Sequence, residues 1–271
     1  MGSRVYLLIT LGCYAAGALH ALLHALLRRS VLTKVSLVTT VLGFAFHTAA
    51  LAQRWTEAGH FPAVGLHDGA AFLAWAIVLV FLLLQVTTRV DAASLFAYPF
   101  VFALVFLANL TPASGRADPV LRSLYLPIHL LLAVFGYGAL FVAFTMGLLY
   151  LFQERELLTR SPRRFYYLFP SLERSDTIGG HSVLGGLGFL TLAILTGFLW
   201  NHSLHGVYWT GDPKEWAALA AWLIYVAILV ARRRWGWGGR RAAWLAIAGF
   251  VVVVFTFGWA TLVPAVSVAS R

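Results

Sequence analysis

Apolar residues fall into eight long blocks divided by short polar stretches, at about 4–27, 33–53, 69–88, 91–110, 126–152, 180–200, 215–231 and 242–263. Each is close to the ~20 residues a helix needs to cross the hydrocarbon core of a bilayer. The pattern predicts an all-α, polytopic integral membrane bundle of about eight transmembrane helices. Only Thr88-Arg89-Val90 separates the third and fourth blocks, so these should form a tight helical hairpin. The first block does not read as a signal peptide. It starts with a single Arg4, runs too long, and ends on Arg28-Arg29 without a small-residue cleavage site. No internal repeat or low-complexity stretch divides the chain, which reads as a single domain over 1–271.

Composition agrees with the pattern. Of 271 residues, 61% are hydrophobic and 11% charged, against about 45–50% and about 25% in soluble domains. The mean hydropathy is +0.82. These values exclude an ordinary cytosolic globule, a disordered chain and a disulfide scaffold, and a lone Cys13 leaves no internal disulfide.

The net charge of +10 would suggest nucleic acid in a soluble protein. Its distribution says otherwise. Arg28, Arg29, Lys34, Arg89, Arg155, Arg160, Arg163, Arg164, Arg174, Arg232, Arg233, Arg234, Arg240 and Arg241 fall on one set of connections, fourteen of the twenty basic residues. Arg4, Arg54, Arg116, Arg122, Lys214 and Arg271 fall on the other. The positive-inside rule makes the first side cytoplasmic and sets both termini outside. The charge is then a topology signal, the partner is the lipid bilayer, and nucleic acid is not expected.

Nine histidines are the next signal, because ionisable groups within a membrane default to function. On this topology His20, His24 and His181 form an inner layer, with His181 opening the sixth helix. His47, His60, His67, His129, His202 and His205 form an outer layer, with His129 at the start of the fifth helix and His60, His67, His202 and His205 in the outer loops or at their edges. Neutral imidazole suits iron, zinc or copper. The lone cysteine excludes a thiolate cluster, and no His-Glu-x-x-His supports a zinc protease. Histidine-rich, acid-poor and aromatic-rich surroundings favour haem.

The stretch from Trp200 to Trp216 is the most informative. Asp212 can cap a helix, Pro213 fits the first helical position, and Glu215 stands three after the cap. Trp200, Tyr208, Trp209 and Trp216 can form an interfacial belt. Two histidines among these aromatics also suit a flat macrocycle, which wants aromatic faces, an imidazole for its metal and a cation for its carboxylates. His20 and His24, four apart, share a helix face and can join His181 in an inner site or reach to the cytoplasmic interface. Gly185 and Gly188 let the sixth helix approach a neighbour or a flat cofactor.

The segment Trp209-Thr-Gly-Asp-Pro-Lys-Glu-Trp-Ala-Ala-Leu-Ala-Ala-Trp222 resembles the tryptophan-rich haem-handling segment of the cytochrome c assembly family, whose members include CcsA (ResC), CcmC, CcmF and HemX-like proteins. Gly59-His-Phe-Pro62 to Trp75, Pro127-Ile-His129 to Ala139, and Trp235 to Phe257 also resemble it, so the likeness covers most of the chain. It departs where His205 and Gly211 replace tryptophans. It departs also where the family's histidines after the motif helix and after the last helix are absent. The eight-helix format resembles HemX-like members, which carry histidines matching His47 and His181.

The resemblance implies a haem-binding protein of a bacterial-type inner membrane. It would hold, transport or present haem b at the outer face for cytochrome c biogenesis, as a haem-handling subunit rather than a stand-alone enzyme. His129 would be an axial ligand of the iron, with His47 first among candidates for the second ligand and His205 or His60 behind it. Tyr208, Trp209 and Trp216 would line the ring, Asp212 would shape the segment, and Lys214 would meet a propionate. His181, with His20 and His24, would make the inner site. Partners would be haem, a membrane partner subunit and an apocytochrome c. Two other readings stay open: a membrane regulator or scaffold of haem synthesis acting through loop 153–179, and a small-solute transporter with a histidine-lined proton path.

Overall fold

The computed structural model describes residues 2–59, 61, 65–88, 90–113, 123–159 and 167–262. His60, Arg89, Arg116, Arg122, Arg160, Arg163, Arg164 and Arg271 lie outside them. The helices are α1 (Gly2–Leu27), α2 (Ser30–Ala58), α3 (Gly65–Thr88), α4 (Ser94–Leu110), α5 (Tyr125–Leu157), α6 (Leu172–His205), α7 (Pro213–Trp235) and α8 (Gly239–Leu262), and a 3-10 turn, Asp91–Ala93, leads into α4. Among the described residues there is no strand. All eight helices are long and apolar enough to cross a membrane, so the chain is a polytopic membrane protein. The end carrying the connections 59–64, 111–124 and 206–212 is termed outer below, on the charge argument above.

The helices exceed the apolar blocks at their ends. The largest difference is α6, which starts at Leu172 rather than near residue 180 and ends at His205 rather than 200. Ser171 caps its start by accepting the Arg174 N–H, and Gly206 closes it in the left-handed conformation. His181 therefore lies about two and a half turns inside the helix, and His202 and His205 occupy its last turn, at the edge of the outer connection. Hydropathy marks the bilayer crossing, whereas capping decides where the backbone stops being helical. Here the two disagree, because Glu173, Arg174 and Asp176 are helical but polar.

Packing sorts the helices into two neighbourhoods. α1 lies against α2 and α4, while α5 lies against α6, α8 and α3, and α7 against α8 and α6. α3 joins them, touching α2, α4, α5 and α8. It is the most deeply set helix, with Ala70, Ala74 and Ala76 fully covered. A stack of Phe100, Phe141, Phe144 and Phe250 fills the space between α4, α5 and α8.

Both ends are fastened by charge pairs. At the inner end Arg232 donates two hydrogen bonds to the Asp176 carboxylate, at 2.8 and 2.9 Å, and the Gly239 N–H adds a third at 3.0 Å, so α6, α7 and α8 meet at one acid. At the outer end Arg54 of α2 grips buried Asp68 of α3 at 3.0 and 3.3 Å. His67, one residue earlier, donates from Nδ1 to the Ala108 carbonyl of α4 at 2.6 Å.

Candidate functional site

The outer half of the α5–α6 pair holds the first group of candidate residues. His129, four residues into α5, makes a 2.8 Å hydrogen bond from Nδ1 to the Ala193 carbonyl of α6. A carbonyl oxygen only accepts, so Nδ1 carries the hydrogen and the lone pair is on Nε2. That is the orientation in which a metal-binding histidine is usually held, its other nitrogen donating to a backbone carbonyl. Gly197, one turn above Ala193, makes room for the ring: a Cβ there would lie 3.2 Å from both Cε1 and Nδ1 of His129. Trp200 completes this face of α6, its ring 6.0 Å from the imidazole. Its buried indole N–H has no hydrogen-bond partner among the described residues, an exception among buried polar groups. Sequence reasoning placed Trp200 only in an interfacial belt. The signal that would have found it is the spacing of 193, 197 and 200 on one helix face.

The second group is the turn between α6 and α7. Asp212 caps α7 by accepting the Lys214 N–H at 2.8 Å, and Pro213 occupies the first helical position. Trp209 sits edge-on between Phe198 and Trp216, at 6.0 and 5.0 Å. Tyr208 stacks on His202 at 4.4 Å. Tyr208 and Trp216 stay more than half exposed, and His205 is exposed beside them. This is an open aromatic surface rather than a closed pocket.

The structure brings each group together but does not merge them. His129 meets α6 at 193 and 197, whereas Tyr208 and Trp209 meet it at 202 and 198. Five residues separate 193 from 198 and 197 from 202, which is ~140° around the helix. The imidazole and the aromatic turn thus lie on nearly opposite faces of the outer end of α6, and the turn is the higher of the two.

His47 lies elsewhere. It is fully buried in α2, with Nδ1 3.2 Å from the Tyr14 hydroxyl of α1 and Nε2 without a hydrogen-bond partner among the described residues. Direct contact between α2 and α5 is slight; Leu51 of α2 and Leu130 of α5 pack on one small cluster with Phe72 of α3, and among the described residues no hydrogen bond or ring contact joins His47 to His129. Trp75 ties the same part of α3 to α2 by donating to Thr48 at 2.9 Å.

The inner histidines are also apart. His20 donates to the Ala16 carbonyl at 2.6 Å and His24 to the Arg29 carbonyl at 3.1 Å, both on α1 or its end. His181 is exposed on α6, which packs on other helices. Gly185 and Gly188 beside it face no neighbour within 4 Å, so intramolecular packing does not account for them. Among the described residues no three His, Cys, Asp or Glu side chains gather that could hold a metal ion.

Comparison with known proteins points in one direction. The family described as "Cytochrome C assembly protein" matches residues 64–263, which takes in His129, His181 and the aromatic turn and leaves out α1 and α2. The cytochrome c biogenesis protein CcsA of Prochlorococcus marinus (strain MIT 9313) is 31% identical over 240 residues, covering 78% of this chain and 76% of that protein. CcsA of Guillardia theta is 28% identical over 235 residues, covering 79% and 78%. The solved cytochrome c heme lyase CcmF matches 94% of this chain with a TM-score of 0.66, at 18% identity. The chain spans 46% of that longer protein, and the likeness is one of fold.

Proposed function

This chain belongs to the cytochrome c assembly protein family, and from that premise we propose that it binds b-type haem and holds or presents it at the outer membrane face during cytochrome c biogenesis. The observation that carries the reading is His129. Its Nδ1 is committed to the Ala193 carbonyl, and its Nε2 has no hydrogen-bond partner among the described residues. The unpartnered indole N–H of Trp200 beside it suits a carboxylate acceptor such as a propionate. A single oriented imidazole next to an idle buried donor fits a haem better than a hard cation, which would need several oxygen ligands.

Haem supplies an iron that an imidazole ligates and two carboxylates at its edge. The rest is the work of the chain. Ala193 fixes the tautomer and plane of His129, and Gly197 leaves the ring its space. His129 would hold the iron through Nε2. The aromatic turn, on the other face of α6, offers Tyr208, Trp209 and Trp216 as an apolar rim at the outer surface, where Lys214 can meet an anionic group. His47 has its contacts inside the α1–α2–α3 packing and serves there. Bond formation to a cytochrome lies outside this chain's residues and belongs to a complex with a membrane partner and the apocytochrome.

The test is a pyridine haemochrome assay and visible spectrum on detergent-purified protein, wild type and His129→Ala. The reading expects a b-type spectrum in the wild type, haem loss in the variant, and partial recovery with added imidazole. Full haem with an unchanged spectrum in His129→Ala would overturn it.

A further inference from the structure

The carboxylate of Glu215 is the most heavily bonded side chain of the outer end. In a capping box, the acid three residues after the N-cap returns to the backbone N–H of the N-cap residue. Glu215 occupies that position relative to Asp212 but does not do this. The Asp212 N–H goes to the Thr210 hydroxyl at 3.3 Å. Glu215 instead reaches past the cap. Its Oε1 accepts from the Asn201 side-chain amide of α6 at 2.5 Å and from the Thr210 hydroxyl at 2.7 Å. Its Oε2 accepts from the backbone N–H groups of Thr210 at 3.1 Å and Gly211 at 2.9 Å.

Four donors from two directions converge on two oxygens. Those on Oε2 are backbone amides of the turn that carries Tyr208 and Trp209, and the one from Asn201 comes from the helix on which those rings lie. Gly211 is in the left-handed region, at φ 79°, where only glycine sits without strain. Its N–H thereby faces the acid. Hydrogen bonds to an ionised acceptor are roughly twice as strong as neutral ones, and an acid in the first turn of α7 also suits the helix dipole. Tyr208 and Trp216 are largely exposed, so burial alone does not hold this surface in shape.

We propose that Glu215 is the positioning residue of the outer aromatic surface: it latches the 208–211 turn to α6 and α7, and so sets how readily haem held at His129 passes this outer rim, without touching the haem itself. This rests on the haem reading above. The chemistry requires a carboxylate. Glutamine is the same size but neutral: its oxygen can take the Thr210 and Gly211 amides, and Asn201 can turn to accept from its –NH2, yet every bond loses its charge assistance.

The experiment compares wild type with Glu215→Gln, Asn201→Ala and Thr210→Val, each detergent-purified. Two readouts are taken: acrylamide quenching and near-UV circular dichroism of the haem-free protein for order in the turn, and the rate of haem transfer to apomyoglobin. Glu215→Gln should raise quenching, flatten the near-UV signal and speed haem transfer by about tenfold, while the haem band positions set by His129 stay unchanged. Asn201→Ala and Thr210→Val, which each remove one donor, should shift both readouts in the same direction by a smaller factor. They carry the test if Glu215→Gln does not fold. A wild type that takes up no haem sinks the haem reading, and the turn readouts still judge the latch. Haem transfer unchanged in all three variants overturns the proposal, as does a changed rate with no change in turn order.

Discussion

His47 and His129 both sit in apolar helices of the outer half, yet the surrounding structure uses them differently. His47 is enclosed between α1 and its own helix, with Nδ1 on the Tyr14 hydroxyl and Nε2 buried without a hydrogen-bond partner among the described residues. The ring is fully enclosed, so nothing reaches it without moving a neighbouring helix. His129 has one nitrogen anchored at Ala193 and a glycine cleared beside it, and its other nitrogen is uncommitted. A histidine enclosed on every side is a packing group. One whose carbonyl contact fixes a lone pair outward is prepared as a ligand. The matched family segment begins at residue 64, so it contains the second histidine and not the first.

Replacing each histidine should separate the two roles most strongly. His129→Ala is expected to lower haem content by about tenfold or more while the protein stays folded, read by pyridine haemochrome against total protein. His47→Ala should leave the haem spectrum unchanged and reduce stability by about 2–4 kcal/mol, as a truncated core side chain does, measured by unfolding in mixed micelles. Exchange of these outcomes, with haem lost from His47→Ala and stability lost from His129→Ala, would reverse the assignment.

Two smaller changes sharpen the comparison. Gly197→Ala brings a methyl group to 3.2 Å from two atoms of the His129 ring, so the imidazole has to shift by a few tenths of an ångström. The expected cost is about 1 kcal/mol, or about fivefold in haem affinity, with a displaced absorption band as the direct sign. An unmoved band would mean that the ring is not on the iron. The smallest effect is expected at Tyr14→Phe. A hydrogen bond between membrane helices averages about 0.6 kcal/mol, and the loss should appear in stability alone, with haem content equal to wild type.

The same comparison shows why part of the site was hard to read from residues. His129 was legible because a histidine at the outer start of an apolar helix is unusual and because its segment resembles a known family. Trp200 and Gly197 were not tied to it, since their spacing on α6 has meaning only once α5 is known to lie against that face. The aromatic turn was legible as a unit. Its separation from His129 was not, because a linear stretch from Trp200 to Trp216 hides the ~140° of rotation between the two faces of α6. Glu215 was readable only as a capping-box acid. Its partner Asn201 lies fourteen residues earlier and reaches it only after α6 and α7 fold back on one another. The inner trio was drawn together by a shared depth, and depth does not specify neighbours: α1 and α6 pack on different helices.

Hydropathy alone determined that this is an eight-span helical membrane protein, because a bilayer core demands ~20 apolar residues wherever the chain crosses it and no tertiary contact relaxes that demand. Local sequence also determined the cap of α7, since Asp212-Pro213 needs only its own backbone to act. The tertiary structure decided which helices touch, and therefore which histidine is enclosed and which is left within reach. Inside a membrane every helix is apolar on most sides, so the pattern that reveals the inward face of a soluble helix is largely erased. Helix partners are then chosen by small residues, ring stacking and single hydrogen bonds, whose meaning appears only when both helices are in place.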